Sequence, residues 1–376
     1  MSNKKTCVLV FSGFNPRAVV SFLRTMKVKK VDYVIVAKSK QDDIFLTEYR
    51  DKVLSVRESE ALVLDDLLNN IEKVKKIKGV EELIIAPTTE ALNRFMLENR
   101  NSFEKLGCII PLVEKKIYEL ISDKYSFGEL CFKNEILLPK EIDLCKEIKF
   151  PIVAKPRKYL SNINNEALYP IIIENYLMYE VFIKNYRVED FYYQEYIKGR
   201  SLYLLYYFHR EGQVYKFSQE NLVQQPDGKS ILAAISSDFH DSEESRKYEN
   251  MFKKLNYHGF VMIEIKQRGN KNYMIEANPR FWGPSQLFVD AGMNLFEAFL
   301  HDYGLIDSSI IFKMKKTKAR YFWFGGLINV IKNSNKPVFY NISENEFLTS
   351  LPEWLLNDIY RRNDTIDIFR KEVSNG

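Results

Sequence analysis

The stretch GFVMIEIKQRGNKNYMIEANPRFWG, residues 259–283, constrains the fold of this 376-residue chain more than any other. It reads as two strands, Val261–Lys266 and Tyr273–Asn278, joined by a Gly/Asn turn. Side chains alternate across a strand. On the first strand Val261, Ile263 and Ile265 share one face, and Met262, Glu264 and Lys266 the other. On the second, Tyr273, Ile275 and Ala277 share one face, and Met274, Glu276 and Asn278 the other. If the apolar sets pack on one core, Glu264, Glu276 and Asn278 converge on the opposite side. Two carboxylates and an amide oxygen are hard oxygen ligands. Mg²⁺ takes a few of these from protein and completes its shell with water and phosphate. Carboxylates at adjacent strand positions repel unless a cation sits between them. That cation is a metal, or a Lys or Arg side chain; a solvated polar face with Lys266 or Arg280 as partner satisfies the same rule.

The rest of the chain gives this hairpin its setting. TCVLVF, the turn SGFNPR, a helix over Ala18–Met26 and VDYVIVA form a strand–helix–strand unit and point to a parallel sheet. Further strands are expected at Lys52–Val56 and Glu82–Ala86, with helices over Glu58–Ile77 and Glu90–Leu106. Residues 1–112 thus read as a doubly wound α/β domain without a GxGxxG fingerprint, which argues against dinucleotide binding there. Val113–Asn134 is helical in pattern. Beyond Pro139 come short strands at Ile152–Lys155, Ile171–Ile173, Phe191–Ile197, Ser201–His209 and Val214–Phe217, an antiparallel α+β region. Helices are expected over Ser242–Leu255 and near Gln286–Phe299. The last seventy residues are aromatic and charged, with no clear periodicity. One hydrophobic core rarely exceeds ~250–300 residues, so more than one lobe is expected.

Composition removes several function classes. Lys and Arg number 55 against 50 Asp and Glu, an excess of only +5, and the basic runs at Lys73–Lys78 and Lys313–Lys318 are short. This disfavours a nucleic-acid footprint but permits a local anion pocket. A hydrophobic share of 46% excludes a disordered chain. The N-terminal apolar run is too short for a signal peptide, and no run approaches the ~18 residues of a membrane span. A soluble, cytoplasmic protein is expected. Cys7, Cys108, Cys131 and Cys145 lack metal-type spacing and read as buried free thiols. His209, His240, His258 and His301 are scattered, and no Ser-His-Asp or Cys-His set is evident.

Two further stretches carry chemistry. In FPIVAKPRK, residues 150–158, Lys155 ends an apolar strand. An ammonium there is costly unless it meets an anion or reaches solvent. In FYYQEYIKGRS, residues 191–201, an apolar strand runs into Gly199, so its backbone can meet the edge of a planar heterocycle.

In this order the motifs resemble the ATP-grasp superfamily, on its carboxylate–amine ligase branch, near carbamoyl-phosphate-synthase-like and biotin-carboxylase-like members. The resemblance covers roughly residues 1–305 and is densest in 113–292. It matches the family's Asp-Lys pair with Asp123-Lys124, its Lys-Pro strand end with Lys155-Pro156, and its adenine strand with Gln194-Glu195-Tyr196-Ile197-Lys198-Gly199. The metal strands match at Glu264 and at Glu276-Ala277-Asn278-Pro279-Arg280. The fold implied is a mixed α/β and α+β ATP-grasp: a Rossmann-like pre-grasp domain (1–112), a helix and central lobe (113–200), a metal-binding lobe (201–305) and a C-terminal extension (306–376).

The resemblance also implies roles. Lys124 and Lys155 would contact the ATP phosphates, and Gln194, the Glu195 carbonyl, Tyr196 and the Ile197 amide the adenine edge. Glu264, Glu276 and Asn278 would hold two Mg²⁺ ions, with Mn²⁺ as a substitute, and Arg280 would stabilise the transferring phosphoryl group. Two positions depart from the family pattern. The loop from Arg157 to Asn162 has no glycine, so backbone amides, or the charges of Arg157 and Lys158, would cradle the phosphates; Ser201 stands where an acid often binds ribose and would hydrogen-bond the hydroxyl more weakly. The loop 158–168 is the candidate lid. The reaction implied is attack of a carboxylate on ATP, giving an acyl phosphate that an amine then captures. The substrates would be small molecules such as an amino acid, a peptide, or an amino- or uronic-sugar derivative. Ser12, Asn15, Arg17, Glu90, Arg280, Trp282 and Ser285 are candidates for that pocket. No nucleic acid or membrane span is expected, and a homodimer is possible. A non-catalytic nucleotide-binding scaffold or sensor is the alternative.

Overall fold

The computed structural model describes residues 5–161, 167–307 and 318–374. The centre of the expected lid, with Asn162, and all of the Lys313–Lys318 run except Lys318 lie outside the described residues.

The chain opens with β1 (Thr6–Phe11), α1 (Pro16–Val28), β2 (Tyr33–Ala37), β3 (Val53–Val56), α2 (Leu64–Lys78), β4 (Glu82–Ile85), α3 (Glu90–Glu98), α4 (Arg100–Lys105) and β5 (Cys108–Ile109). The strands form a parallel sheet in the order β3-β2-β1-β4-β5. Their apolar runs are buried on both faces, as a parallel sheet requires. The helix expected from Glu58 begins only at Leu64. The Asp66 carboxylate accepts from the Glu58 and Ser59 amides and folds 58–63 into a loop over the helix end.

Two helices follow, α5 (Lys115–Ser122) and α6 (Lys124–Lys133). The expected single helix over 113–134 breaks at Asp123, whose backbone is extended. A small lobe comes next, built from β6 (Ile152–Pro156), β7 (Ile171–Ile173), α7 (Tyr176–Asn185) and β8 (Phe191–Glu195). Its antiparallel sheet runs β7-β6-β8. It has a core of its own, including Ile152, Ala154, Ile173, Phe182, Phe191 and Tyr193.

The largest sheet is built from β9 (Arg200–Phe208), β10 (Val214–Gln224) and β11 (Ile231–Ser237), then α8 (Glu243–Lys254), then β12 (Gly259–Arg268) and β13 (Lys271–Asn278). Helices α9 (Gln286–Asp290) and α10 (Leu295–Asp302) replace the single helix expected there. The chain ends with β14 (Arg320–Phe322), α11 (Phe324–Lys332), β15 (Val338–Phe339), α12 (Glu344–Thr349), α13 (Leu351–Leu355) and α14 (Ile366–Ser374). The sheet order is β13-β12-β9-β10-β11-β14, with β15 paired on β10. β10 outruns its expected end at Phe217, and β11 was not anticipated. Their polar residues hide the strand pattern: Gln219 and Asn221 are fully buried, bonded to each other and on to Ser201.

The first domain and the large sheet share continuous cores. One joins Val8, Ile35 and Phe22 to Tyr203, Phe260, Phe281 and Phe296. The tail straps them together. Arg24 of α1 donates to both Asp364 oxygens, at 2.7 and 3.0 Å, and the Tyr49 hydroxyl donates to the same carboxylate at 2.7 Å. The lobe containing β6–β8 has a core apart from these, the arrangement expected of a moving part.

Within the tail, Glu372 accepts from Trp323 Nε1 at 3.2 Å. Burial pushes its carboxyl up to about 7, against a usual 4.5, with Asp358 adding to the effect. The folded state therefore holds this proton where the unfolded chain has lost it, so stability falls as pH rises from 4.5 to 7. Glu372→Gln keeps an acceptor for Trp323 and removes the charge. Melting curves should show the variant more stable than wild type at pH 8, by on the order of 2 kcal/mol after allowance for partial exposure. The two should nearly coincide at pH 5. Equal melting temperatures at pH 8 contradict the assignment.

Candidate active site

The hairpin β12–β13 brings Glu264 and Glu276 face to face, paired directly across the ladder. Met262 pairs with Asn278 in the same stretch. Strict alternation does not persist to the far end of β13. The register slips between Glu264 and Ile265, so that Ile265 opposes Met274 and Ile275 is the extra residue of a bulge. Met274 consequently packs in the core beside Val261, Ile263 and Ala277, the reverse of the face that alternation gives it. The bulge also turns the Ile275 carbonyl to a new partner, the Lys155 ammonium at 2.8 Å.

Charge is balanced within this cluster. Lys124, the first residue of α6, donates to Glu276 Oε2 at 2.8 Å. Asn278 Nδ2 donates to Glu276 Oε1 at 2.8 Å, and Arg280 Nη2 donates to Asn278 Oδ1 at 3.3 Å. Burial works to raise the Glu276 carboxyl, but Lys124, Asn278 and Lys155 outweigh it and hold the group at about 2. Glu264 is raised instead, by burial first and Glu276 among the other causes; Lys266, 3.5 Å away, offsets part of this. Lys155 is 4% exposed. Burial, with Lys124 close by, brings its ammonium down to about 8. Four cations, Lys124, Lys155, Lys266 and Arg280, thus surround two carboxylates and an amide.

Asp123 aims its neighbour. Its carboxylate takes Arg94 Nη2 at 2.6 Å, and Arg94 Nε donates to Glu90 at 3.0 Å. The start of α6 is thereby fixed to α3, which leaves Lys124 pointing at β13. Arg94 was not anticipated from sequence, because its role depends on three segments meeting.

The central lobe supplies the second wall. Gln194 lies on β8, 7% exposed; its Nε2 donates to the Pro139 carbonyl at 3.3 Å and its Oε1 has no partner. The Glu195 carboxylate accepts from the Lys140 amide and from Arg268. Ile197 is buried and Tyr196 partly so. Any side chain at Gly199 would place a Cβ 2.0 Å from the Gln267 carbonyl, so only glycine lets the lobe's exit segment lie against β12. Arg157 stacks on Tyr125 at 4.6 Å and donates to the Phe191 carbonyl. Ser201 is fully buried, and its hydroxyl accepts from Asn221 at 3.1 Å.

The remaining sequence candidates divide into two groups. Ser12 and Glu90 stay at the mouth of the parallel sheet. Ser12 donates to Asp42 at 2.7 Å and helps line a mostly apolar cavity of about 120 Å³ with Phe11, Phe14, Thr88, Thr89 and Leu92. That cavity lies where the strand order reverses between β1 and β4, the crevice in which open α/β sheets bind ligands. Asn15 stitches it to the hairpin, donating to the Thr88 and Phe281 carbonyls at 2.9 and 3.1 Å. The Phe281 amide donates to Pro87 in turn. The second group is spent on the fold. Trp282 is 1% exposed and Ser285 donates to its carbonyl. Arg17 donates to the Ile231 carbonyl, the Tyr321 hydroxyl and Ser230, and its guanidinium lies 3.9 Å from the Trp323 ring.

No family model matches the sequence, and no curated protein matches it either. Solved structures do. An N5-carboxyaminoimidazole ribonucleotide synthetase from Thermus thermophilus superposes over 83% of this chain and 82% of its own, with a TM-score of 0.60 at 13% identity. The biotin carboxylase domain of 2-oxoglutarate carboxylase from Hydrogenobacter thermophilus, in complex with MgADP, ADP and bicarbonate, matches 80% of this chain and 70% of its own, with a TM-score of 0.57 at 17% identity. Pyruvate carboxylase from Rhizobium etli matches 81% of this chain with a TM-score of 0.59 at 15% identity, but this chain spans only 29% of its length. The chain has the ATP-grasp fold. No helix among the described residues is long and apolar enough to cross a membrane.

Assigning Arg17 to the fold has a direct check. Arg17→Met should lower stability by about 2 kcal/mol, from lost charged hydrogen bonds and the Trp323 contact. Once substrates are known, their KM values should change less than about twofold. A large rise in KM with an unchanged melting temperature would return Arg17 to the substrate pocket.

Proposed function

We propose that this protein is an ATP-dependent ligase that activates a carboxylate as an acyl phosphate and joins it to an amine, with release of ADP and phosphate. The observation that carries the reading is the Glu264–Glu276 pair, set directly across two strands and met by Lys124 and Lys155 from two other elements. Unopposed carboxylates in that position repel, and the chain places two lysines where a more highly charged cation would serve better. The donor set fits Mg²⁺. It offers two carboxylates and an amide, and among the described residues no third acidic, His or Cys ligand joins them. Such a site needs phosphate oxygens and water to complete its shell, and one or two ions bound this way would neutralise charge on the transferring phosphoryl group.

The chain's own residues do the rest. Lys124 releases Glu276 and turns to the phosphates together with Lys155, whose lowered affinity for a proton comes from a dry site that an anion would restore. Arg280, held by Asn278, faces the same space and stabilises the transferring group. Gln194 brings an unpaired carbonyl oxygen to the adenine side. The apolar cavity behind Thr88 and Thr89 is the acceptor pocket in this reading. It suits a small carboxylate or amine with a compact apolar portion, such as an amino acid or short peptide. Closure of the β6–β8 lobe would keep water from the acyl phosphate.

The test is phosphate release on mixing the protein with Mg-ATP and pools of carboxylates and amines, followed by mass detection of the coupled product. Glu276→Gln should reduce turnover about 100-fold or more, the size of effect seen when one stabilising group is removed from a charged transition state. Lys155→Ala should weaken ATP binding. Turnover untouched by Glu276→Gln, or no phosphate release with any pool, counts against the ligase reading.

A further inference from the structure

Lys266 is buried, 8% exposed, and its ammonium has no hydrogen-bond acceptor. Glu264 Oε1 lies 3.5 Å away. Its other neighbour is an aromatic face, since the ammonium sits 3.9 Å from the centroid of the Tyr340 ring. A cation–π contact and one long ion pair offset only part of the cost of burying an ammonium with three N–H donors.

Tyr340 comes from the C-terminal extension, and its position does not depend on Lys266. β15 pairs with β10 through Val223–Phe339 and Gln224–Val338. The Tyr340 amide donates to the Leu222 carbonyl at 2.8 Å and its hydroxyl to Gln224 Oε1 at 2.8 Å. The next residue, Asn341, donates to Glu220 at 3.0 Å. The tail therefore presents a fixed ring to a lysine on another strand.

The place of Lys266 along β12 indicates what it meets. Glu264 marks the metal and phosphate end. Arg268, further along the strand, bonds the Glu195 carboxylate beside the adenine segment. Lys266 lies midway, about 7 Å along the strand from each at some 3.3 Å per residue. The part of a nucleoside triphosphate between its base and its outer phosphates is the ribose and the first phosphate. Ser201, the cross-strand neighbour of Lys266, cannot serve that part, because it is fully buried with its oxygen engaged by Asn221.

We infer that the C-terminal extension completes the nucleotide site: Tyr340 holds the Lys266 ammonium so that it donates to oxygens of the ribose or first phosphate of ATP. Lys266 is the binding residue and Tyr340 positions it. The inference rests on the ligase reading only in requiring that ATP bind in this cleft.

Calorimetric titration of the full-length protein with Mg-ATP tests it. Lys266→Met and Tyr340→Leu should each raise Kd about 10-fold, the loss of one charge-assisted contact. Tyr340→Phe, which keeps the ring, should stay within about twofold of wild type. In the Lys266→Met background, Tyr340→Leu should add no further loss, whereas a purely structural tyrosine would give an additive one. Lys266→Met leaves the tail's own bonds in place, so it remains decisive if Tyr340→Leu loosens the fold. A loss shared by 2′,3′-dideoxy-ATP assigns the ammonium to the phosphate, and a loss confined to ATP assigns it to the ribose hydroxyls. Wild-type binding with an unchanged Kd for Lys266→Met, or additive losses in the double variant, overturns the inference while leaving the nucleotide site standing. Absence of Mg-ATP binding to wild type removes both.

Discussion

Two carboxylates facing each other across adjacent strands, one buried and one half-buried, set the terms for the rest of this molecule. Glu264 and Glu276 repel, and burial magnifies the repulsion. A fold that keeps them must bring positive charge to the spot. Lys124 arrives on a helix start that Asp123 and Arg94 fix in place, Lys155 on the end of a strand in a separate lobe, and Arg280 on the segment that leaves the hairpin. These cations come from elements far apart in sequence. The acidic pair is thus the point at which the lobes are electrostatically joined.

The bulge at Ile275 makes one of those joins possible. A regular ladder would engage the Ile275 carbonyl and keep Met274 on the polar face. The extra residue sends Met274 into the core and hands the carbonyl to Lys155. A ligand's phosphate would compete with that single neutral acceptor, and an anion is the better partner for a buried ammonium. In the proposed reading, the contact that ties the central lobe to β13 is one that a bound phosphate would replace. A lobe with its own small core can respond to that exchange as a unit.

Much of this is legible in the sequence, and the reasons for the exceptions are specific. The parallel domain declares itself through apolar runs such as TCVLVF and YVIVA. The convergence of Glu264, Glu276 and Asn278 follows from alternation near the turn-distal end of the hairpin. Alternation then fails at Ile275, because nothing in Tyr-Met-Ile marks a bulge. β10 and β11 escape notice because Gln219, Asn221 and Ser201 satisfy one another inside the sheet, and buried polar ladders have no periodic signature. Arg17 reads like a ligand-binding residue at a helix start, yet it spends its donors on Ile231, Tyr321 and Ser230. The tail is the least legible part. Its value lies in Asp364 gripping Arg24 and in Tyr340 covering Lys266, contacts that span 340 and 74 positions of chain.

The central claim is that a metal–nucleotide complex replaces the Lys124 ammonium at Glu276. A crystal of the protein grown with Mn²⁺ and ADP tests this most directly, through anomalous scattering at the manganese edge. The account predicts a peak beside Glu264 and Glu276, with Lys124 moved away from the carboxylate it now contacts at 2.8 Å. Nucleotide seen in the cleft with no peak there, and with Lys124 still paired to Glu276, would contradict it.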